Sequence, residues 1–213
     1  MAMVFIASMK RPGFTLVEIM LSAGIMAVLT TIVFFNFSRQ NQKQALSQAI
    51  GTIGTEVQHM TANSQSGILM TTVSPAITPA QYGLKFELND SFGAPRKNFE
   101  TFGDFQPAAT PAALYDNGGT EPLQTFTFQN HVAMYCLSSS TGTEYSRIDL
   151  GYALPGAKFT AVGNVKNTAT IAAITSEIRI TLRDDRTNEC QRIRLVPGVT
   201  TFSQQKLATC TCS

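Results

Sequence analysis

The sequence has little charge and few of the patterns on which catalysis depends. Charged residues make up 14% of 213 positions and the net charge is +2. That removes any bulk electrostatic case for nucleic acid or an acidic partner. No GxSxG, HExxH or P-loop stretch is present. The two histidines, His59 and His131, lie too far apart to support a triad, and the acids of the C-terminal part form no obvious pair. There is no CxxC, and neither histidine is spaced with a cysteine as in a zinc site. The residues therefore point to no catalytic site, no metal and no cofactor, and the expectation is a protein that is not an enzyme.

Cysteine is missing from the first 135 positions. The four present are Cys136, Cys190, Cys210 and Cys212. An even number in a polar, Ser/Thr/Gln-rich chain of exported appearance favours disulfides. Cys210 and Cys212 flank one residue, so a bridge between them would be strained. Each is expected to join Cys136 or Cys190, and the spacing does not choose which.

What the chain does have is one long apolar run. From Phe14 to Phe37 the single charged residue is Glu18. A helix of about 24 residues rises about 36 Å, enough for a bilayer core of about 30 Å. Lys10 and Arg11 precede the run and favour a cytoplasmic N-terminus, a vote weakened by Arg39 and Lys43 beyond it. An ordinary secretory signal has a shorter apolar core with the cut after it; here the small residue, Gly13, comes before. A charge in mid-span costs on the order of 3 kcal/mol, less near the positive end of a helix. Glu18 is then either a helix-end acid at the interface or a functional group with a partner.

The stretch "GFTLVEIM", Gly13 to Met20, resembles the processing site of type IV prepilins and of the pseudopilins of type II secretion. The resemblance implies cleavage after Gly13 by a prepilin peptidase, N-methylation of Phe14, and pairing of Glu18 with the Phe14 amine of a neighbouring subunit during assembly. It implies as partners other pilin subunits, an inner-membrane assembly platform and, before assembly, the lipid bilayer. It places the chain in the bacterial inner membrane, single-pass, N-terminus cytoplasmic and head periplasmic, and then in a pilus or pseudopilus. Pro12 before Gly13 and the lack of a mid-helix proline depart from the common pattern. Met9 offers a second, shorter leader.

The expected divisions are a cleaved leader (1–13), a membrane and filament-core helix (14–37), an amphipathic continuation (38–66) and a β-rich head (67–213). The continuation carries Leu46, Ala49, Ile50, Ile53, Val57 and Met60 at three- and four-residue steps, a stripe suited to packing on the chain's own sheet. Gly51 and Gly54 permit a bend or a close approach by the sheet. Ser66-Gly67 reads as the stop. Residues 68–125 read as mostly irregular, with strand candidates "GILMTTV" and "YGLKFEL". Phe92, Phe99, Phe102 and Phe105 are expected to anchor a long loop, and "DNGGTE" to form a tight turn with a thin calcium-ligand pattern. The strand candidates beyond are "LQTFTFQ", "VAMYCLSS", "YSRIDLGYAL", "SEIRITLRD" and "QRIRLVPG", the last two a hairpin around "DRTNEC". The fold class is α+β and pilin-like: a long N-terminal helix on a C-terminal antiparallel sheet.

Arg179, Arg183, Arg186, Arg192 and Arg194 lie on that last hairpin, interleaved with Glu177, Asp184, Asp185 and Glu189. Mixed charge of this kind is usually a solvated face. The final hairpin also resembles H-type pseudopilins and FimT-like minor pilins, some of which bind DNA through C-terminal arginines. DNA contact through Arg183, Arg186, Arg192 and Arg194 is therefore the alternative to a purely structural or assembly-priming subunit.

Overall fold

The computed structural model of the chain describes residues 15–67, 79–89, 92–104, 123–129, 131–154, 158–198 and 202–212, with the side chains of 35–43 and of 123 left aside. Contacts divide the chain into two compact units, 1–41 and 42–213. The expected strand "GILMTTV" past Gly67, the turn at 116–121 with its calcium pattern, and Phe105 lie outside the described residues.

One helix, α1, runs Leu16–Ser66. It ends as the sequence suggests: Gly67 takes a φ of 63°, open to glycine, and its N–H reaches the Asn63 carbonyl at 2.9 Å. Among the described residues ten strands follow: β1 (Gln81–Glu87), β2 (Asn98–Asp104), β3 (Leu123–Thr127), β4 (Val132–Ser139), β5 (Glu144–Ala153), β6 (Lys158–Val165), β7 (Ile171–Ala173), β8 (Ile178–Asp184), β9 (Cys190–Leu195) and β10 (Phe202–Leu207). They form one antiparallel sheet in the order β10-β9-β8-β4-β5-β1-β2-β3, with β6 on β5 and β7 on β6. β5 pairs along Arg147–Ala153 with β1, while β4 meets it only at Leu137↔Tyr145 and Ser138↔Glu144.

In the second unit the helical stripe is the centre of the core. Leu46, Ala49, Ile50, Ile53, Val57 and Met60 are all buried, and Ala45 joins them. Gln44, Gln48 and Gln58 face solvent. Against the stripe lie the inward residues of the sheet, among them Leu84, Phe86, Ile148, Leu150, Ile180, Leu182 and Ile193. Each large stripe residue contributes about 1.5–3 kcal/mol by leaving water. Tyr152 also lies in this core, with the Thr61 hydroxyl in reach, and burial drives its phenol above the usual tyrosine range.

Within 68–125 the structure adds a strand that the sequence reading did not mark, β2. Phe99 and Phe102 are strand residues rather than loop anchors. Phe99 stacks between Phe86 at 5.5 Å and Phe126 at 5.0 Å, and Phe102 lies over Gly83, where no Cβ could fit. Phe92 is 94% exposed. β6, β7 and β10 were likewise unmarked by any strand pattern, whereas β4 matches "VAMYCLSS" residue for residue.

Of the two glycines in the striped part of the helix, Gly51 has open space where a side chain would go, but a Cβ on Gly54 would collide with the Phe202 ring of β10. Gly54→Ala is therefore expected to destabilise by about 1–3 kcal/mol through overpacking. In a Phe202→Ala background the same change should stabilise by up to about 1 kcal/mol through helix propensity. Urea melts of the four proteins check this, and a cost that persists without Phe202 would refute the contact.

Candidate functional site

Gly13 and Phe14 lie outside the described residues; the structure begins at Thr15. Thr15 precedes the first helical residue, and Glu18 stands three positions on. The Thr15 N–H and hydroxyl both donate to Glu18 Oε2 at 3.4 Å, and the Glu18 N–H donates to Thr15 Oγ1 at 3.2 Å. This reciprocal arrangement is a capping box, which satisfies N–H groups that a helix start leaves unpaired. The carboxylate is thus held by its own chain at the positive end of the helix. The pattern Thr-x-x-Glu is readable in the sequence as a helix-start signature, and it makes Glu18 the helix-end acid that was one of its two expected roles.

From Leu16 to Phe34 the helix is exposed all round and its mean hydropathy is 2.2, so this segment is long and apolar enough to cross a membrane. Its few polar side chains turn back on the helix. Ser22 donates to the Ile19 carbonyl at 3.0 Å, Thr30 to Met26 at 2.6 Å and Thr31 to Ala27 at 2.8 Å. No hydroxyl there asks for water.

The cysteines pair as Cys136–Cys212 and Cys190–Cys210, with Cα separations of 5.6 and 5.4 Å. That resolves the choice the spacing left open. Cys136 on β4 and Cys190 on β9 are buried, but neither belongs to the core cluster; they alternate with core residues and face the other side of the sheet. The described residues hold one group with metal-ligand spacing, Cys136, Glu144 and Cys212. Its two sulfurs are bonded to each other, so it offers no thiolate.

The arginines are largely engaged within the chain. Arg179 pairs with Glu177 at 2.8 Å. Arg183 pairs with Asp185 at 2.7 Å and lies 5.1 Å above the Tyr135 ring. Tyr135 stands where the β4–β8 register slips between Met134 and Cys136. Arg194 bonds Gln205 and approaches Glu177 at 3.9 Å. Arg192 is buried: its Nε donates to Thr181 Oγ1 at 3.2 Å and its Nη2 to the Thr211 carbonyl at 2.6 Å. Burial first, then the Arg179 and Arg194 charges, lower its pKa from the usual arginine value. Arg186 is exposed. The four DNA candidates are therefore not one open patch.

The acids that sequence reading left unpaired do meet, but as partners of cations. Glu87 and Glu100 hold Lys85 at 3.3 and 3.2 Å, Arg96 reaches Glu87 at 2.6 Å, and Asp149 takes Arg147. Opposite charges paired in this way offset the cost of one another's burial.

A family model described as the prokaryotic N-terminal methylation motif matches residues 8–34. The chain carries the hallmark of type IV prepilins and pseudopilins. Proteins with this motif are structural subunits rather than enzymes, and the motif with its apolar helix fits a membrane-anchored pilin. No curated protein and no solved structure matches the chain.

Two measurements bear on this geometry. Thr15→Ala should cost about 1 kcal/mol at the helix start, read in detergent micelles as roughly fivefold faster amide exchange near Glu18; Thr15→Ser should leave the rate unchanged. Alkylation should label Cys190 in a Cys210→Ser variant and Cys136 in Cys212→Ser, and the reverse labelling would mean the opposite pairing.

Proposed function

We propose that this protein is a minor pilin or pseudopilin, a structural or assembly-priming subunit of a type IV filament or a type II secretion filament. A prepilin peptidase removes residues 1–13 after Gly13 and methylates the exposed Phe14 amine. Residues 14–37 hold the subunit in the inner membrane, leader side cytoplasmic and head periplasmic, and later pack into the filament core. Residues 38–66 continue into the head, 67–213. The observation that carries this reading is the methylation motif at residues 8–34, coupled to a wholly exposed apolar helix with a single acid at its start.

The chemistry supports the assigned roles. A carboxylate in low dielectric is costly alone and tolerable beside an ammonium. The capping box gives Glu18 a neutral resting partner, Thr15. The α-amine of a neighbour's Phe14 is a stronger one, because an ammonium adds the attraction of a full opposite charge that a neutral N–H or hydroxyl lacks. The exchange makes docking selective, since a subunit seated in the wrong register leaves the ammonium unmatched.

The alternative, a DNA- or surface-binding minor pilin, has the exposed Arg186 in its favour. Against it stand the ion pairs of Arg179 and Arg183 and the burial of Arg192.

Glu18→Ala is expected to leave the protein in the membrane, processed normally, and to remove it from sheared filaments. Unchanged incorporation would overturn the role of Glu18. Mass spectrometry of the mature protein should find a methylated Phe14 as first residue; a retained leader in functional filaments would end the prepilin reading.

A further inference from the structure

The last described residues cross the outer face of the sheet. After β10, Cys210 is bridged to Cys190 on β9 and Cys212 to Cys136 on β4. Between the bridges the Thr211 carbonyl accepts from Arg192 on β9, and the Cys212 carbonyl accepts from Ser138 Oγ on β4 at 2.7 Å. The strands beneath are in register, Cys136↔Thr181 and Thr181↔Arg192, so the tail lies across β9, β8 and β4 in turn. Beneath it Arg192 is 3% exposed, and Thr181 and Ser138 are fully covered.

Arg192 is not an isolated charge. Arg179 and Arg194 are opposite one another on β8 and β9, and Arg194 shares a strand face with Arg192. Glu177 lies 2.8 Å from Arg179 and 3.9 Å from Arg194. Three guanidiniums thus gather on one face, and the middle one is met by a carbonyl oxygen of the tail. A backbone carbonyl is a weak substitute for an anionic oxygen. Two covalent bonds hold it there beside its hydrogen bonds. The tail-side residues, Cys210 and Cys212, are half-buried, whereas Cys136 and Cys190 are buried. The more accessible residue of each bridge therefore belongs to the tail.

We propose that Arg179, Arg192 and Arg194 form a binding site for a phosphodiester polyanion, and that the disulfide-held tail is its releasable cover. The proposal rests on the alternative reading of the arginine hairpin and states when that reading applies. Release is a thiol–disulfide exchange with a dithiol of the exported oxidoreductase class. One thiolate attacks Sγ of Cys210 or Cys212, and the sheet-side cysteine leaves as thiolate and takes a proton. The second thiol of the reductant then resolves the mixed disulfide. Each bridge takes up two electrons and two protons, and the dithiol becomes a disulfide.

The test uses the full chain in detergent micelles and a labelled duplex oligonucleotide, read by anisotropy across a salt series. Three proteins are compared: oxidised, dithiothreitol-reduced, and a Cys136→Ser/Cys190→Ser/Cys210→Ser/Cys212→Ser variant. The reduced and cysteine-free proteins should bind about tenfold or more tightly than the oxidised one, with a salt slope steeper by about two to three. Adding Arg179→Gln and Arg194→Gln to the cysteine-free protein should remove the gain. Equal binding in oxidised and reduced states would overturn the cover while leaving the arginine reading intact. No binding in any state would remove both. Loss of the β circular-dichroism signal on reduction would make the tail a structural clamp and overturn the proposal.

Discussion

The head of this protein depends on one packing event, the burial of the stripe from Ala45 to Met60 of α1 against the inner face of the sheet. The sheet has ten strands, and a sheet of that size has one face to bury. Helix α1 supplies seven of the buried apolar side chains from about four and a half turns of backbone. Remove the helix and Leu84, Phe86, Ile148, Leu150 and Ile180 face water together, an apolar area no soluble monomer leaves open. The contact of Phe202 with Gly54 extends the same packing to the far edge strand, whose own residues are largely exposed. β10 is held by its ladder to β9 and by one ring resting on a glycine.

The outer face is stabilised differently. There the residues are polar or charged, yet several are buried: Lys85, Asp149, Thr181 and Arg192. Each burial is matched by a partner of opposite charge or by a hydrogen bond, as the cost of an unpaired buried polar group requires. Around β1, β2 and β5 the partners are charges on neighbouring strands. Over β9, β8 and β4 they come partly from the chain's own end, which has no secondary structure to hold it and is fixed by disulfides instead. In the chain-entropy account, the 76-residue separation of Cys136 and Cys212 makes their bridge the larger constraint on the unfolded state.

The features most legible in the sequence were those with a strong period or a chemical reason. The stripe of α1 was legible, but for Ala45, because apolar residues at three- and four-residue spacing mark one face of a helix. β4, β5, β8 and β9 were visible because β-branched and aromatic residues alternate with polar ones between turns. β2 was missed because phenylalanines three apart and neighbouring glycines hide a period of two. β10, "FSQQKL", has almost no apolar signal, since its place comes mainly from the ladder to β9, with Phe202 its one large apolar contact. At the site, the sequence marked the four cysteines and excluded the strained neighbour bridge, but pairing needs the relative positions of β4 and β9, which no local pattern carries. It placed Arg192 among exposed arginines, because nearby Cys190 does not say which segment it is bridged to, and the covering tail is distant in sequence.

The two lengths of α1 are chemically different helices under one hydrogen-bond ladder. Leu16–Phe34 is apolar on every side, and its serine and threonines are turned inward to their own carbonyls. Ala45–Met60 is apolar on one side only. A helix apolar all round needs lipid or a ring of like helices, whereas a striped one needs a single surface. In such a chain Glu18 is the residue that cannot be satisfied by apolar company, whether lipid or other helices. It sits where the helix itself offers the most compensation, at the N-terminal turn, closed onto Thr15. Moved one turn deeper it would lose both the cap and the positive end of the dipole. The position of the acid is thus one that an isolated apolar helix can tolerate, and the pairing proposed for it builds on that.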